Sequence, residues 1–163
     1  MEKQGFSKLE RIVSQKLIDE LFTGGQSHSL TAFPLRAVYI IRDHPSQSLE
    51  EENHVSPCKS VAKEENHVSS CKSVAKTQLL LSVPKRRFKH AVDRNRVKRQ
   101  LREGFRKHKT LLAENVEANK CVALAFIWMS DNHLPTSEVE KRVVTILRRI
   151  ADAMTEKQVK SAT

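Results

Sequence analysis

A dense group of basic residues is the most chemically informative feature of the sequence. Between Lys85 and Lys109 the chain carries twelve lysines and arginines but only two acids, Asp93 and Glu103. The local excess of ten positive charges equals the net charge of the whole chain, +10. Arginine offers planar forks that bind phosphate through two hydrogen bonds, and lysine offers mobile point charges. The residue types and their density therefore indicate a polyanion as the ligand.

Helical spacing separates these cations from an apolar stripe. The predicted helix runs from about His90 to Leu112, and its apolar stripe can pack against a sheet: Val97, Leu101, Phe105 and Leu112. A second stripe is polar and basic: Asn95, Arg99, Arg102, Arg106 and Lys109. Neighbouring cations repel each other, so the second stripe is unfavourable unless a polyanion neutralises it. A merely solvated helix face is the alternative, but the scarcity of acids favours nucleic-acid backbone as the ligand. Glu103 can pair with Arg99 or Lys107.

The remaining pattern predicts the elements that position this helix. Ser14 can cap a first helix that Gly24 and Gly25 end, with apolar residues at Leu17, Ile18, Leu21 and Phe22. Strands are predicted at Leu35–Arg42, Gln78–Val83 and Cys121–Trp128. A final helix begins at a capping box of Ser137 and Glu140 and carries Val139, Val143, Leu147, Ile150 and Met154. The order predicts a single α/β domain over residues 1–163, with helices packed on a small sheet.

A polar stretch at residues 43–78 interrupts this pattern. It contains a 13-residue tandem repeat at 51–63 and 64–76, and we expect an inserted surface loop that joins two strands as an extended hairpin. The repeat offers four possible Zn²⁺ ligands, His54, Cys58, His67 and Cys71. Because duplication copies any residue pair that it contains, our interpretation is that the protein has no metal site. Cys121, within an apolar strand, is predicted to be a small core residue.

Composition also narrows the function class. No apolar run approaches the roughly 20 residues that span a bilayer, and the first residues lack the apolar segment of a secretory signal. Three cysteines without framework spacing favour reduced thiols and a cytoplasmic location. Few acids lie near the basic helix to hold Mg²⁺ for a protein-only nuclease, so no catalytic residue is predicted.

The segment SVPKRRFKHAVDRNRVKRQLREGFR, Ser82 to Arg106, resembles the signature of the bacterial ribonuclease P protein family. The matching positions are Ala91, Val92, Arg94, Asn95, Arg96, Lys98, Arg99, Arg102 and Glu103. The resemblance runs in order from about Phe6 to Ala153. It implies an α+β sandwich of the ribosomal S5 domain 2 type, whose βαβ crossover is left-handed, against the usual rule.

The resemblance also implies the function. The expected role is that of an RNA-binding subunit that assists a catalytic RNA in removing the 5′ leader from precursor tRNA, while Mg²⁺ is bound by the RNA subunit and the substrate. The implied partners are that RNA and precursor tRNA, with no membrane and no obligate protein partner. The implied RNA contacts are Lys85, Arg86, Arg94, Asn95, Arg96, Lys98, Arg99, Arg102 and Arg106. The implied cleft for the leader contains Ile18, Phe22, Phe33 and Arg36.

Other functions remain open on the residues alone. A ribosomal or other nucleic-acid-binding protein could use the same basic helix without any nuclease role. A helix-turn-helix protein would place a short helix before the basic one, where a strand is predicted instead. For Phe22 the residues alone favour a place in the core over one in the cleft, since phenylalanine on an apolar helix face is more often a core residue.

Overall fold

The computed structural model of the protein describes residues 5–43, 75–116 and 120–161. The predicted mixed α/β class is confirmed. A 3-10 turn at Lys8–Glu10 precedes helix α1 (Gln15–Thr23), strands β1 (His28–Ala32), β2 (Leu35–Asp43) and β3 (Thr77–Ser82), helix α2 (Ala91–His108), the short helix α3 (Thr110–Ala113), strand β4 (Lys120–Trp128) and helix α4 (Thr136–Ser161).

The strands form a sheet in the order β1-β2-β4-β3. β2 is antiparallel to both β1 and β4, whereas β3 runs parallel to β4. The chain therefore passes from β3 through α2 to β4 as a parallel βαβ unit, which the resemblance implied. The left-handed crossover stays a prediction.

One face of the sheet holds the larger core. Alternate residues of β4 (Val122, Leu124, Phe126 and Trp128) point to this face and pack with α2 and α4. The ring of Phe105 from α2 meets Phe126 edge-on at a centroid distance of 6.4 Å. Aromatic rings favour such edge-to-face geometry because the positive ring edge meets the negative ring face. This packing fixes α2 on the sheet.

Helix α1 packs against part of the opposite face. The strand residues Ala123 and Ala125 of β4 and Ile40 of β2 form a smaller core here with Leu17 and Leu21 of α1. α1 ends where predicted, since Gly24 caps it and Gly25 adopts φ +67°, a conformation that glycine tolerates without a side-chain clash.

The structure corrects several local predictions. β1 was not predicted. The strands on either side of the insert do not form a hairpin, because β4 lies between β2 and β3. Ser14 is at the cap position of α1 but makes no side-chain cap bond. The capping box at the start of α4 is wrong, since the helix begins at Thr136 and Glu140 instead binds side chains of α2.

Candidate nucleic-acid interface

The inner side of α2 is the apolar stripe that the sequence predicts. Val97, Leu101 and Phe105 are each 0% exposed and lie in the larger core. α4 approaches this helix closely, since a Cβ placed on Gly104 would lie 3.4 Å from the nearest atom of Val143. Burial of one side of α2 leaves the opposite side to face solvent.

The outer side of α2 is basic, and it forms one wall of a concave site. Asn95, Arg96 and Arg99 are exposed, and Val92 beside them is 78% exposed. Together with the start of α4 they border a concave site of about 510 Å³ lined by Val92, Asn95, Arg96, Arg99, Gln100 and Thr136. Within the part of the chain that the structure describes, neither Arg96 nor Arg99 has an acidic partner. Their charges are available to an anionic ligand.

Gln100 joins α2 to the start of α4 beneath this concave site. Its Nε2 donates to the backbone oxygen of Leu134 at 3.2 Å and to Oγ1 of Thr136 at 3.1 Å. Because these bonds cross between two elements, they hold the two walls of the site in a fixed relation.

Arg94 has a different environment from Arg96. Its Nη1 donates to the backbone oxygens of Phe88 at 2.8 Å and Lys89 at 2.6 Å. Arg94 therefore holds the turn between β3 and α2, which presents the exposed residues Lys85 and Arg86. Arg94 thus has a structural role in addition to the predicted RNA contact.

The same turn is also attached to the loop between β4 and α4. Arg87 binds Asp131 at 3.1 Å, and Nε2 of His133 lies 3.0 Å from Oδ1 of Asp93. The ring of His133 stacks on Phe88 at a centroid distance of 4.6 Å. These contacts fix the start of α2 and so the direction of its exposed side chains.

The flank of α2 next to β3 is covered by the N-terminal segment. The guanidinium groups of Arg11 and Arg102 lie 5.6 and 5.9 Å from the ring centroid of Phe6, within the range of cation–π attraction. Lys98 lines a small concave site with these residues. Arg102 is thus half-buried, and sequence reasoning missed both Phe6 and Arg11 as its neighbours.

The C-terminal end of the basic stripe is neutralised by acids of the protein. Arg106 donates to Glu103 at 2.6 and 2.8 Å, so the predicted pairing of Glu103 with Arg99 or Lys107 is wrong. The hydrogen bond from Arg106 lowers the pKa of the Glu103 carboxyl below its usual value. Lys109 pairs with Glu10 at 2.5 Å.

Lys107 and His108 are bound to α4. Lys107 lies 3.2 Å from one carboxylate oxygen of Glu140, and Nε2 of His108 lies 2.8 Å from the other. Hydrogen bonds from His108 and then Lys107 lower the pKa of the Glu140 carboxyl. Together with the Arg106 and Lys109 pairs, this leaves Arg96 and Arg99, nearer the middle of α2, as exposed cations without an acidic partner among the described residues.

Two residues predicted to line the leader cleft, Ile18 and Arg36, lie on the α1 side of the sheet. Ile18 is half-buried there and packs against the smaller core, as do Leu80 and Ile127. Arg36 is exposed and pairs in register with Ile127 across β2 and β4. The alternation of exposed Arg36 with buried Leu35 and Ala37 shows that its side chain faces away from the larger core.

The two predicted aromatic residues of the cleft are exposed. Phe22 on α1 is 46% exposed, while Leu17 and Leu21 supply the core contacts of the helix, so the core interpretation of Phe22 fails. Phe33 is 65% exposed in the turn between β1 and β2. Exposed aromatic rings of this kind can stack on bases of a single strand.

The described part of the chain contains neither a cluster of metal-binding side chains nor a membrane-spanning helix. Among residues 5–43, 75–116 and 120–161, no group of three or more His, Cys, Asp or Glu side chains could hold a metal ion. The His and Cys pairs of the tandem repeat lie outside the described residues. Cys121 is buried as predicted, and burial raises the pKa of its thiol. None of the helices in these ranges has the length and apolar character required to cross a membrane.

Comparison with known proteins identifies the family. A profile of the family described as Ribonuclease P matches residues 6–162. The Ribonuclease P protein component of Porphyromonas gingivalis strain W83 is 32% identical over 148 residues, which covers 90% of this chain and 87% of the relative. The chain belongs to the ribonuclease P protein family. The same protein from a second strain of that species, ATCC 33277, is 31% identical over 148 residues, which again covers 90% of this chain and 87% of the relative.

Solved structures of ribonuclease P proteins share the fold. The Staphylococcus aureus RNase P protein superposes with a TM-score of 0.55 at 16% identity, over 86% of this chain and 94% of that one. A second structure, described as a mutant of that protein with defective mRNA degradation activity, gives a TM-score of 0.54 at 18% identity, over 89% and 90%. The fold and the family that the Ser82–Arg106 segment implied are therefore both confirmed.

Proposed function

We propose that the chain is the RNA-binding subunit of a ribonuclease P ribonucleoprotein, which assists a catalytic RNA in removing the 5′ leader from precursor tRNA by endonucleolytic cleavage. The observation that carries the proposal is the family match over residues 6–162, in a chain whose α2 presents exposed cations. The family match favours this function over the ribosomal alternative. The expected site of action is the cytoplasm.

Binding to the RNA subunit would use the outer side of α2 and the turn before it. Exposed Arg96 and Arg99 lie one turn apart on the helix, with Lys85 and Arg86 on the adjoining turn. Each phosphate that such a cation neutralises releases condensed counterions, so the affinity should fall steeply with salt concentration. Arg94 contributes by holding the turn in place.

Substrate binding would use the α1 side of the sheet. Phe22 and Phe33 offer exposed rings to unstacked bases, and Arg36 offers a guanidinium to a phosphate of the leader. Ile18 gives the cleft an apolar wall. The single-stranded leader would then lie on the sheet face opposite the core that positions α2.

The protein's own residues bind and orient the two RNAs in this proposal. Hydrolysis of the phosphodiester is assigned to Mg²⁺ ions bound by the RNA subunit and the substrate, which would activate water and stabilise the leaving oxygen. The cations of α2 would lower repulsion between the two RNA chains. The requirement for high Mg²⁺ concentration should therefore fall when the protein is present.

Reconstitution tests the proposal. Purified protein freed of RNA is mixed with precursor tRNA, with and without the catalytic RNA of the same organism, at low Mg²⁺. We expect no cleavage by the protein alone and correct 5′ maturation by the mixture. The double variant Arg96→Ala/Arg99→Ala should lose the stimulation, whereas Arg142→Ala, which removes an exposed cation from α4, should retain it. Cleavage by RNA-free protein at the rate of the mixture would overturn the proposal.

A further inference from the structure

The concave site beside α2 has features that phosphate binding does not require. A regular RNA helix has a convex backbone, which cations on a flat or convex helix surface can contact. The site between α2 and the start of α4 is instead an open concavity of about 510 Å³, a volume within the range of about 300–1,000 Å³ that is usual for small-molecule sites. Its shape is suited to a group that projects from the RNA.

The α2 side chains that line this site are of three kinds: apolar, amide and positively charged. Val92 supplies an apolar surface that is 78% exposed on an otherwise basic side of the helix. Asn95 supplies an amide that can donate and accept at once, and Arg96 and Arg99 supply positive charge. All four residues lie on one stripe of α2, at steps of three and four residues.

We infer that this site receives a single unpaired nucleotide of the RNA subunit. The face of the base contacts Val92, the edge of the base pairs with the Asn95 amide, and the phosphate on one side of it contacts Arg96 and Arg99. The inference rests on the proposed function, because it names the form of RNA that the outer side of α2 recognises.

Physical chemistry favours a base over a bare phosphate as the occupant. Sequence-specific RNA recognition uses unstacked bases, because the deep groove of an RNA duplex admits no side chains. The amide of asparagine matches the paired donor and acceptor on the edge of adenine, which a phosphate would not use. The walls are already fixed by the bonds from Gln100 to Leu134 and Thr136, so little ordering is required on binding.

Salt-dependent binding to the catalytic RNA separates base contact from phosphate contact. Arg96→Ala should weaken binding and reduce the slope of log affinity against log salt by about one unit, since one phosphate contact is lost. Val92→Ala and Asn95→Ala should each weaken binding at every salt concentration with no change of slope. For Asn95→Ala the loss should be roughly 5- to 150-fold, the usual effect of a lost base contact. Val13→Ala is the matched control, since Val13 is an 82% exposed valine elsewhere on the surface.

Chemical probing of the RNA then locates the nucleotide. Acylation of 2′-hydroxyl groups at saturating protein should show an unpaired position that wild-type protein protects and that Asn95→Ala leaves reactive. Replacing that nucleotide by an abasic one should weaken wild-type binding but change Asn95→Ala binding little, so that the two changes are not additive.

The outcomes separate the two proposals. Wild-type protein that binds no RNA would overturn the proposed function and the inference with it. Normal binding by Val92→Ala and Asn95→Ala, while Arg96→Ala is impaired, would leave the proposed function standing and overturn the nucleotide site. Additive effects of Asn95→Ala and the abasic position, or protection confined to paired nucleotides, would also overturn it.

Discussion

The two long sides of α2 separate stability from binding. On the inner side Val97, Leu101 and Phe105 are fully buried in the larger core, whereas on the outer side Arg96 and Arg99 are exposed. A single helix therefore holds the domain together with one side and offers charge with the other. Substitution of a buried residue on the inner side should lower stability, whereas substitution of Arg96 or Arg99 should weaken binding and leave stability unchanged.

The outer side is itself divided. Arg94 and Arg106 donate to groups of the protein, while Arg96 and Arg99 have no acidic partner in the described ranges. A count of cations thus overstates the number that are ready to bind RNA. Those at the ends of the stripe must first exchange an internal partner for a phosphate.

The largest effect is expected for Leu101→Asp on the inner side. Loss of a buried leucine side chain costs about 2–5 kcal/mol, and an unpaired carboxyl in the core adds to that loss. We expect most of the protein to be unfolded at room temperature, as measured by circular dichroism and urea titration. Leu101→Met, which conserves volume, should cost less than about 1.5 kcal/mol. A stable Leu101→Asp protein would show that the inner side is not the core.

Arg94→Ala tests the division within the outer side. Removing its bonds to the Phe88 and Lys89 carbonyls should lower the free energy of unfolding by about 1.5–3 kcal/mol, as for other hydrogen bonds of charged groups, and should weaken RNA binding as well. Arg96→Ala is the matched control and should change stability by no more than about 0.5 kcal/mol while weakening binding. Equal stability of the two variants in urea would contradict the division.

The periodicity of the sequence predicted the longer helices and strands but not which strands pair in the sheet. The inner stripe of α2 and the core residues of α4 follow from helical spacing, because burial selects apolar side chains at regular steps. β1 was missed because the segment His28–Ala32 is short, mostly polar and exposed, and is recognisable only through its pairing with β2. Strand order is likewise a tertiary property, so the hairpin predicted for β2 and β3 was wrong.

The candidate site was predictable to a similar extent. Charge density selected the cations of α2, but it gave no means to separate Arg94 from Arg96, since that difference lies in carbonyls of a preceding turn. Thr136 and Gln100 were missed because their place beside α2 depends on how α4 packs. Val92, although 78% exposed, offered no signal on its own, because single apolar residues are common on protein surfaces.

The stability that Glu140 contributes by binding the C-terminal end of α2 should fall in acid. Bonds from His108 and Lys107 lower the pKa of Glu140, so its contribution to stability is present above the usual carboxyl pKa of 4.5 and is lost as the pH falls through the lowered value. Glu140→Gln should therefore cost about 0.5–1 kcal/mol at pH 7 and progressively less below pH 4.5, as measured by urea titration. Glu138→Gln, an exposed acid on the same helix, is the control. A cost for Glu140→Gln that is the same at pH 7 and pH 3 would contradict this account.

The smallest effect is expected for the tandem repeat, which belongs to neither side of α2. With six acids and four cations, residues 43–78 carry a net charge of −2, which makes them a poor ligand for RNA. Asp43 at the end of β2 pairs with Lys120, and Thr77 at the start of β3 pairs with Val122. Both ends of the insert therefore lie beside the start of β4. With only β4 between them, two strand spacings of roughly 4.8 Å separate the ends by about 10 Å.

Deletion of residues 64–76 should therefore leave the fold and the reconstituted activity nearly unchanged. The remaining residues 44–63 can span about 10 Å many times over, and halving a loop changes closure entropy by only about 0.6 kcal/mol. The deletion also conserves the local sequence before β3, because Lys63 ends the same Ser-Val-Ala-Lys run that Lys76 ends before Thr77. The backbone oxygen of Lys76 accepts a bond from Val122 at 2.8 Å, and the carbonyl of Lys63 can take that position. If the two His/Cys pairs bind one zinc ion instead, native mass spectrometry will show a metal on the full chain that the deletion removes, together with a melting temperature lower by several degrees.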